Sequence, residues 1–551
     1  MMPLRLFFRL FSPPTLAAAL WLLAASPTQA AGPTEGQARR FLAQASFGPT
    51  DASVAELMAL DKPAWLQKQF ALPAAALSDY PGLAYVDPNS SVGCPTGSPD
   101  TCHRDKYSLF PVQTQFFKNA INSQDQLRQR TALALSEILV ISGNQISLPY
   151  AMANYQRIFL SHAFGNFRNV LREVTLSPAM GKFLNMANND KPNPAKGIEP
   201  NENYAREVLQ LFSIGLWQLN ADGSPKLGAN LLPQPSYDQE TVEGFAHVFT
   251  GWTYPARPGA TRNRFPNPAS YQAPMVAFAE HHDTGAKRLL NGVTLPAGQS
   301  AAADLEAAID NIFNHANVGP FIGRQLIQQL VTANPSPAYV ARVSAAFNGA
   351  AGQARGDMRA VLAAVLLDAE ASDPAAPDHF GKLREPIVQL THLFRAMGGV
   401  SDGVWLRSQA STLGQPIFSP PSVFNFYSPD YDLPNDPNLD GPAFGLFNAN
   451  AAFALSGVLS SALNGKGAAP DPKVMGATGS KIDMARWQTL SANPAALVAE
   501  INRVLLAGRA SVPLQQALLK AVQIYPATKA ADRARAALFL AVMSPEYLVE
   551  H

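Results

Sequence analysis

Cysteine is scarce in this chain, with two among 551 residues, and only 15% of the residues are charged. No C-x-x-C and no C-x-x-C-H occur, which excludes the familiar dithiol oxidoreductase and c-type haem signatures. G-x-S-x-G, the Walker A loop and G-x-G-x-x-G are missing too, so the readily recognised serine hydrolases, P-loop enzymes and dinucleotide binders drop out. Neither charge sign is in excess: 42 Lys plus Arg stand against 41 Asp plus Glu. A net charge of +1 lacks the basic surplus needed to neutralise phosphates, so no nucleic-acid partner is expected. Past the N-terminus there is no apolar run of the ~20 residues that a membrane span requires.

Arg5 and Arg9 precede an apolar run from Leu16 to Ala25, and Thr28-Gln29-Ala30 followed by Ala31 fits the small-residue rule of signal peptidase. Residues 1–30 are therefore expected to be a cleaved secretory signal. The mature protein is then periplasmic or extracellular, with no membrane span. The cysteines, Cys94 and Cys102, share one loop, SVGCPTGSPDTCH, and in an oxidising compartment read as a local disulfide. Such a closure stabilises by ~2–3 kcal/mol, enough to order a loop and too little to define a fold.

A hydrophobic content of 47% supports one large core or two ordinary ones. Ser123 and Gln126 read as a capping box ahead of Leu127, Thr131, Ala134, Leu135, Ile138 and Leu139, whose three- and four-residue spacing describes one buried stripe. Similar patterns recur along the chain, predicting an all-α fold with long irregular loops. One β-hairpin insertion is expected, with strands at Lys287–Leu290 and Val293–Leu295 around a two-residue Asn291-Gly292 turn. The 46 prolines gather in connections such as 191–200, 224–235, 254–274 and 416–442, the natural walls of a cleft. A boundary at Asn334-Pro335 would divide an N-terminal half, 31–335, from a C-terminal half, 336–551, packed on it; one large domain is the alternative.

The stretch NENYAREVLQLFSIG from Asn201 to Gly215 places three charged residues, Glu202, Arg206 and Glu207, in an otherwise apolar helix. Glu207 and Asn203 flank its apolar face, where partial desolvation raises proton affinity, so Glu207 is a candidate general acid or base. The other reading is an ion-pair strut, with Glu202 and Arg206 spaced i to i+4. In HHDTGAK, His282 with Asp283 forms a candidate second proton carrier, while the competing reading has Asp283 making an Asx turn. Arg206, Lys287, Asn203 and Trp252 are the candidate substrate-binding groups.

Two weaker metal readings also arise. Glu243 and His247 stand i to i+4 on a helix expected to open with a Ser236/Gln239 capping box, but they lack a third ligand. Asp436, Asn438 and Asp440 match positions 1, 3 and 5 of a calcium loop, yet Phe447 stands where the bidentate Glu is needed. No cofactor is required by either reading.

Several segments together resemble the bacterial family known as domain of unknown function 1800. They are Arg39-Arg40-Phe41-Leu42 to Thr50; Gln126-Leu127-Arg128-Gln129-Arg130 leading to Ala134-Leu135-Ser136-Glu137; Asn201 to Glu207; Phe249-Thr250-Gly251-Trp252; His282-Asp283-Thr284-Gly285; Gly414-Gln415-Pro416 to Phe424; and Ser544-Pro545-Glu546-Tyr547. The resemblance implies an exported, mainly helical protein, often encoded beside a second exported family with a sulfatase-like fold. It carries no activity with it. It also implies a basic residue where this chain has His247, which counts against a metal there.

Three functional readings follow. The first is an exported hydrolase or lyase acting on an envelope or extracellular polymer, such as a glycan, through carboxylate and histidine acid–base chemistry. The second is a non-catalytic assembly or secretion partner of a co-exported protein. The third is a metal-dependent redox protein.

Overall fold

The helix Gln126–Ile138 sets the architecture, because all but one of its thirteen residues are buried. The structure is a computed structural model that describes residues 32–73, 80, 83–260, 262–372 and 380–551. The expected signal segment, 1–30, lies outside the described residues. Among the described residues there are twenty-four α-helices, with short two-stranded antiparallel pairs between them. The fold is mainly helical, and no described helix is long and apolar enough to cross a membrane.

Leu127, Ala134 and Leu135 of the central helix are fully buried. Each such leucine contributes about 1.5–3 kcal/mol. Glu35–Ala45, Lys62–Ala71, Phe110–Asn122, Pro149–His162 and Val318–Leu330 pack around it. A helix enclosed on every side, rather than along a single stripe, must also bury its polar residues. Arg128 therefore spends its guanidinium on the carbonyls of Leu160 and Leu72, at 3.0 and 2.8 Å.

The expected Ser123/Gln126 capping box does not form. Asp125 is the N-cap residue, and Gln126 instead accepts from the Phe47 amide at 3.2 Å and donates to the Ser123 carbonyl at 2.9 Å. Nor does Ser236 cap the helix Gln239–Val248; Asp238 does, accepting from the Thr241 amide at 2.9 Å.

The hairpin is present, pairing Lys287 with Leu295 and Arg288 with Thr294. Its connection is wider than a two-residue turn, since Asn291 and Gly292 both take positive φ inside a short 3-10 turn over Leu290–Gly292. Met275 closes against the Leu176 carbonyl, and the adjoining strand Val276–Ala277 pairs with Trp252–Thr253. Residues 33–551 form a single compact unit, and the helices on either side of Asn334, Val318–Leu330 and Pro337–Phe347, pack on each other. Lys382–Leu383 pairs with the C-terminal Val549–Glu550, which brings residue 382 beside the central helix region.

Candidate active site

The side chains singled out from sequence fall into separate networks. Glu207 is half-buried on the helix Asn203–Gln210, and its Oε2 has no hydrogen-bond partner among the described residues. Burial holds its carboxyl above the usual range, opposed by neighbouring Arg206. Arg206 pairs with Glu202 at 2.7 Å and donates to Gln239 at 3.2 Å on the surface, and Asn203 is exposed.

His282 is buried, with Nδ1 3.0 Å from the Thr250 carbonyl and Nε2 3.0 Å from Asp304 Oδ2. Lys287 Nζ reaches the same Asp304 oxygen at 2.7 Å and donates to the carbonyls of Asp283 and Gly285 at 2.6 and 2.8 Å. With both ring nitrogens and the ammonium engaged, and almost no exposure, neither His282 nor Lys287 has a free face for a substrate. Asp283 Oδ1 accepts from the Gly285 amide at 2.7 Å, which is the Asx turn, and Oδ2 meets His247 Nδ1. Burial would raise the Asp283 carboxyl, but Gly285, His247 and Lys287 outweigh it and hold it below its ordinary value. No hydrogen bond or ion pair joins Glu207 to His282 or Asp283 among the described residues. Trp252 is buried in its strand pair.

The metal candidates also disperse. Glu243 accepts from Gln239 at 3.2 Å, while His247 is taken by Asp283. Asp436–Asp440 is a strand, not a calcium loop, and Asp440 Oδ2 is committed to Arg324 at 2.5 Å and Gln328 at 3.1 Å. Among the described residues no group of three His, Cys, Asp or Glu side chains converges in a way that could hold a metal ion. Cys94 and Cys102 form the expected disulfide, with Cα atoms 5.9 Å apart.

What the fold does bring together is a pair of carboxyls beside a cavity of about 540 Å³. Both Glu137 and Glu385 line it, and they are only 8% and 4% exposed. Glu137 ends the central helix, at the negative end of its dipole, whereas Glu385 is the N-cap residue of Pro386–Ala396, at a positive end. The hydrogen bonds divide the same way. Glu385 Oε2 accepts from Gln415 Nε2 at 2.6 Å and Tyr427 Oη at 2.7 Å, and Oε1 faces Arg130 Nη1 at 3.9 Å. Glu137 receives only a 3.5 Å contact from the same Gln415 amide. These contacts stabilise negative charge at Glu385 and favour the proton at Glu137. Burial first, then the Glu385 charge and a hydrogen bond between the two carboxyls, push Glu137 well above the carboxylate range.

Gln415 fixes the pair, since its Oε1 accepts the Ile387 amide at 3.0 Å in the first turn of the helix that Glu385 caps. Lys382, on the cavity wall, donates to the Gln329 carbonyl. Burial and Arg130 push its ammonium down to about 8, against the pull of Glu550, Glu385 and Glu137. Tyr427 is raised well above its ordinary value by burial and then by the two carboxyls, so it remains a hydrogen-bond donor. An acid whose proton affinity is raised well above the carboxylate range, beside an amine neutral above about 8, can deliver and remove protons in one cavity.

A family model described as "Protein of unknown function (DUF1800)" matches residues 40–549. The chain belongs to this family. No curated protein and no solved structure matches the chain. In this DUF1800 member, Arg130, Glu137 and Gln415 all sit in the segments that carry the sequence resemblance, although none of them was singled out from sequence. One signal was present. Arg130 and Glu137 stand seven apart, on one face of a helix with few other charges, so a buried helix brings both to the same side. Nothing local announced Glu385, Lys382 or Tyr427, whose side-chain partners lie 30 or more positions away.

Proposed function

We propose that this protein is an exported enzyme, a hydrolase or lyase that cleaves an envelope or extracellular polymer by acid–base chemistry. The observation that carries the reading is the Glu137–Glu385 pair, one proton-bearing carboxyl and one charged carboxylate held together at the wall of a 540 Å³ cavity. Isolating a carboxyl pair in this way costs stability, and proton-sharing carboxyls of this kind are a means of keeping an acid protonated near pH 7. Glu137 serves as the acid that protonates the leaving group, and Lys382 as the base. Arg130, Gln415 and Tyr427 position Glu385. Because the two carboxyls share the Gln415 amide, they act as one acid; they do not flank a sugar ring as the separated carboxylates of most glycosidases do.

Export is supported by the N-terminal leader pattern and by the disulfide, a bond that persists in oxidising compartments. The test is a product screen of the mature protein on isolated envelope and extracellular polymers, with Glu137→Gln in parallel. Release of fragments that falls by 10²–10⁴-fold in the variant is the expected result. Equal release from both proteins would remove Glu137 from the chemistry.

A second reading has one observation in its favour. Leu227, Leu231 and Leu232 are 53%, 77% and 61% exposed on the connection that follows Trp217, an apolar display suited to an assembly partner. Co-purification with a stable partner that Leu231→Asp abolishes, without any polymer cleavage, would favour that reading.

A further inference from the structure

The walls of the cavity carry more than acid–base groups. Gln210, Gln329 and Asn425 line it with side-chain amides that make no hydrogen bond among the described residues, and Trp217, Phe321 and Phe424 line it with aromatic rings. Gln328, only 8% exposed, gives both its amide hydrogens away, to carbonyls and Asp440, yet its Oε1 has no donor. Trp217 and Phe424 are 45% and 51% exposed, so aromatic faces are available at the mouth while amide groups are unsatisfied further along the wall.

Trp217 is held where it is. Asn317, 1% exposed, donates to the carbonyls of Ile214 and Trp217 at 2.9 and 2.8 Å and accepts the Leu219 amide at 2.9 Å. Three hydrogen-bonding groups of the segment that bears Trp217 thus converge on one buried side chain. A ring on a backbone anchored in this way, and still half-open to solvent, is a positioned contact surface.

The wall is close to electrically balanced. Arg324 is matched by Asp440 at 2.5 Å, Glu385 faces Arg130 behind the wall at 3.9 Å, and Lys382 and Asp430 stand on the lining with opposite charges. That balance gives a polyanion no field to follow. An acyl chain would suit the rings but would strip water from the Gln210, Gln329 and Asn425 amides without replacing it. The complementary ligand has C–H faces for the rings and hydroxyls that both donate and accept for the amides.

We infer that the cavity binds a neutral, hydroxyl-rich saccharide chain, with Trp217 and Phe424 as the ring contacts at its mouth and Gln210, Gln329 and Asn425 as the hydroxyl contacts within. This inference rests on the reading of the same cavity as the site of acid–base cleavage and names the polymer class on which it acts. A volume of 540 Å³ lies within the range of pockets that enclose most of a small ligand, so the remainder of a longer chain runs out over the aromatic mouth.

The experiment uses the mature protein and soluble hexasaccharides of β-1,4-linked glucose, β-1,4-linked N-acetylglucosamine, β-1,4-linked mannose and α-1,4-linked glucose. Decanoate and a neutral hexapeptide serve as comparison probes. Binding is read by calorimetry and by tryptophan fluorescence, since Trp217 is half-exposed while Trp65, Trp252 and Trp487 are buried. At least one hexasaccharide is expected to bind saturably. Trp217→Ala is expected to weaken it about tenfold or more, and Gln329→Ala to weaken it severalfold. Glu137→Gln keeps the shape of the side chain and should retain binding while losing cleavage.

Three outcomes overturn the inference: no hexasaccharide binds, binding is unmoved by Trp217→Ala and Gln329→Ala together, or decanoate or the peptide binds in their place. Cleavage of a different polymer that still depends on Glu137 would sink the saccharide inference and leave the acid–base reading standing. Saccharide binding with cleavage unaffected in Glu137→Gln would do the reverse.

Discussion

Tyr427 and Gln415, twelve residues apart on an irregular segment, donate to the same oxygen of Glu385, at 2.7 and 2.6 Å. Two donors on one carboxylate oxygen concentrate negative charge there and leave the proton of the carboxyl pair to Glu137. The asymmetry of the pair is thus set by a loop, while its position is set by two helix ends. Each of these contributions can be measured separately.

Replacing Glu137 by Gln tests the proton. A carboxyl raised by burial lends stability that is fully present below its ordinary value of 4.5 and is lost as pH rises through the folded value. An amide has no such dependence. Glu137→Gln should therefore melt at or above the parent temperature near neutral pH, with the difference shrinking toward pH 4. A melting temperature well below the parent's at pH 7 would mean that Glu137 is ionised and paired.

Glu385→Ala should behave in the opposite sense. It strands the Arg130 guanidinium, 1% exposed, and leaves the Gln415 and Tyr427 donors unmatched. Removing one member of a buried ion pair costs about 3–5 kcal/mol. Denaturant titration of the variant against the parent gives the figure, and a loss below about 1 kcal/mol would show that water already screens the pair.

Lys382→Met addresses the base. The folded ammonium loses its proton near pH 8 rather than at its ordinary 10.5, so burial of the charge penalises the parent fully below about 8. That penalty is relieved as pH rises from 8 toward 10.5. The Met variant should gain stability at pH 7 and gain nothing at pH 10.5. In polymer cleavage, the parent rate should climb with pH up to about 8, and the variant should lose that limb along with most of its rate. A limb near pH 8 that survives the substitution would assign it to another group.

Asp304→Ala tests the histidine cluster. His282 and Lys287 both depend on one Asp304 oxygen, at 3.0 and 2.7 Å, and all three side chains are buried. Losing that carboxylate should cost about 3–5 kcal/mol in a melt or denaturant titration. Any surviving folded protein should keep its activity per folded molecule. Activity lost without loss of stability would instead draw the cluster into the chemistry.

Much of the molecule was legible in the residues. Helical periodicity, the Asn291-Gly292 hairpin, the Cys94–Cys102 pairing and the family all follow from local spacing or from short motifs, and local interactions fix such features before the chain folds. The helix caps were less legible. Ser123 and Ser236 had the right spacing for capping boxes, yet Asp125 and Asp238 took the N-cap positions. A cap depends on where the chain enters the helix, and tertiary packing decides that entry.

The candidate site was the least legible part. Sequence proximity drew attention to Glu207 and to His282-Asp283, where titratable residues crowd together, but crowding along the chain produced local salt bridges and an Asx turn. The chain by itself determined a helical class, a near-neutral surface and a family. Only the tertiary structure decided that Glu137 and Glu385, 248 positions apart by their numbers, would meet at opposite ends of two helix dipoles. The physical reason is that a carboxyl's proton affinity depends on its burial and its neighbouring charges, and neither exists until distant segments pack together.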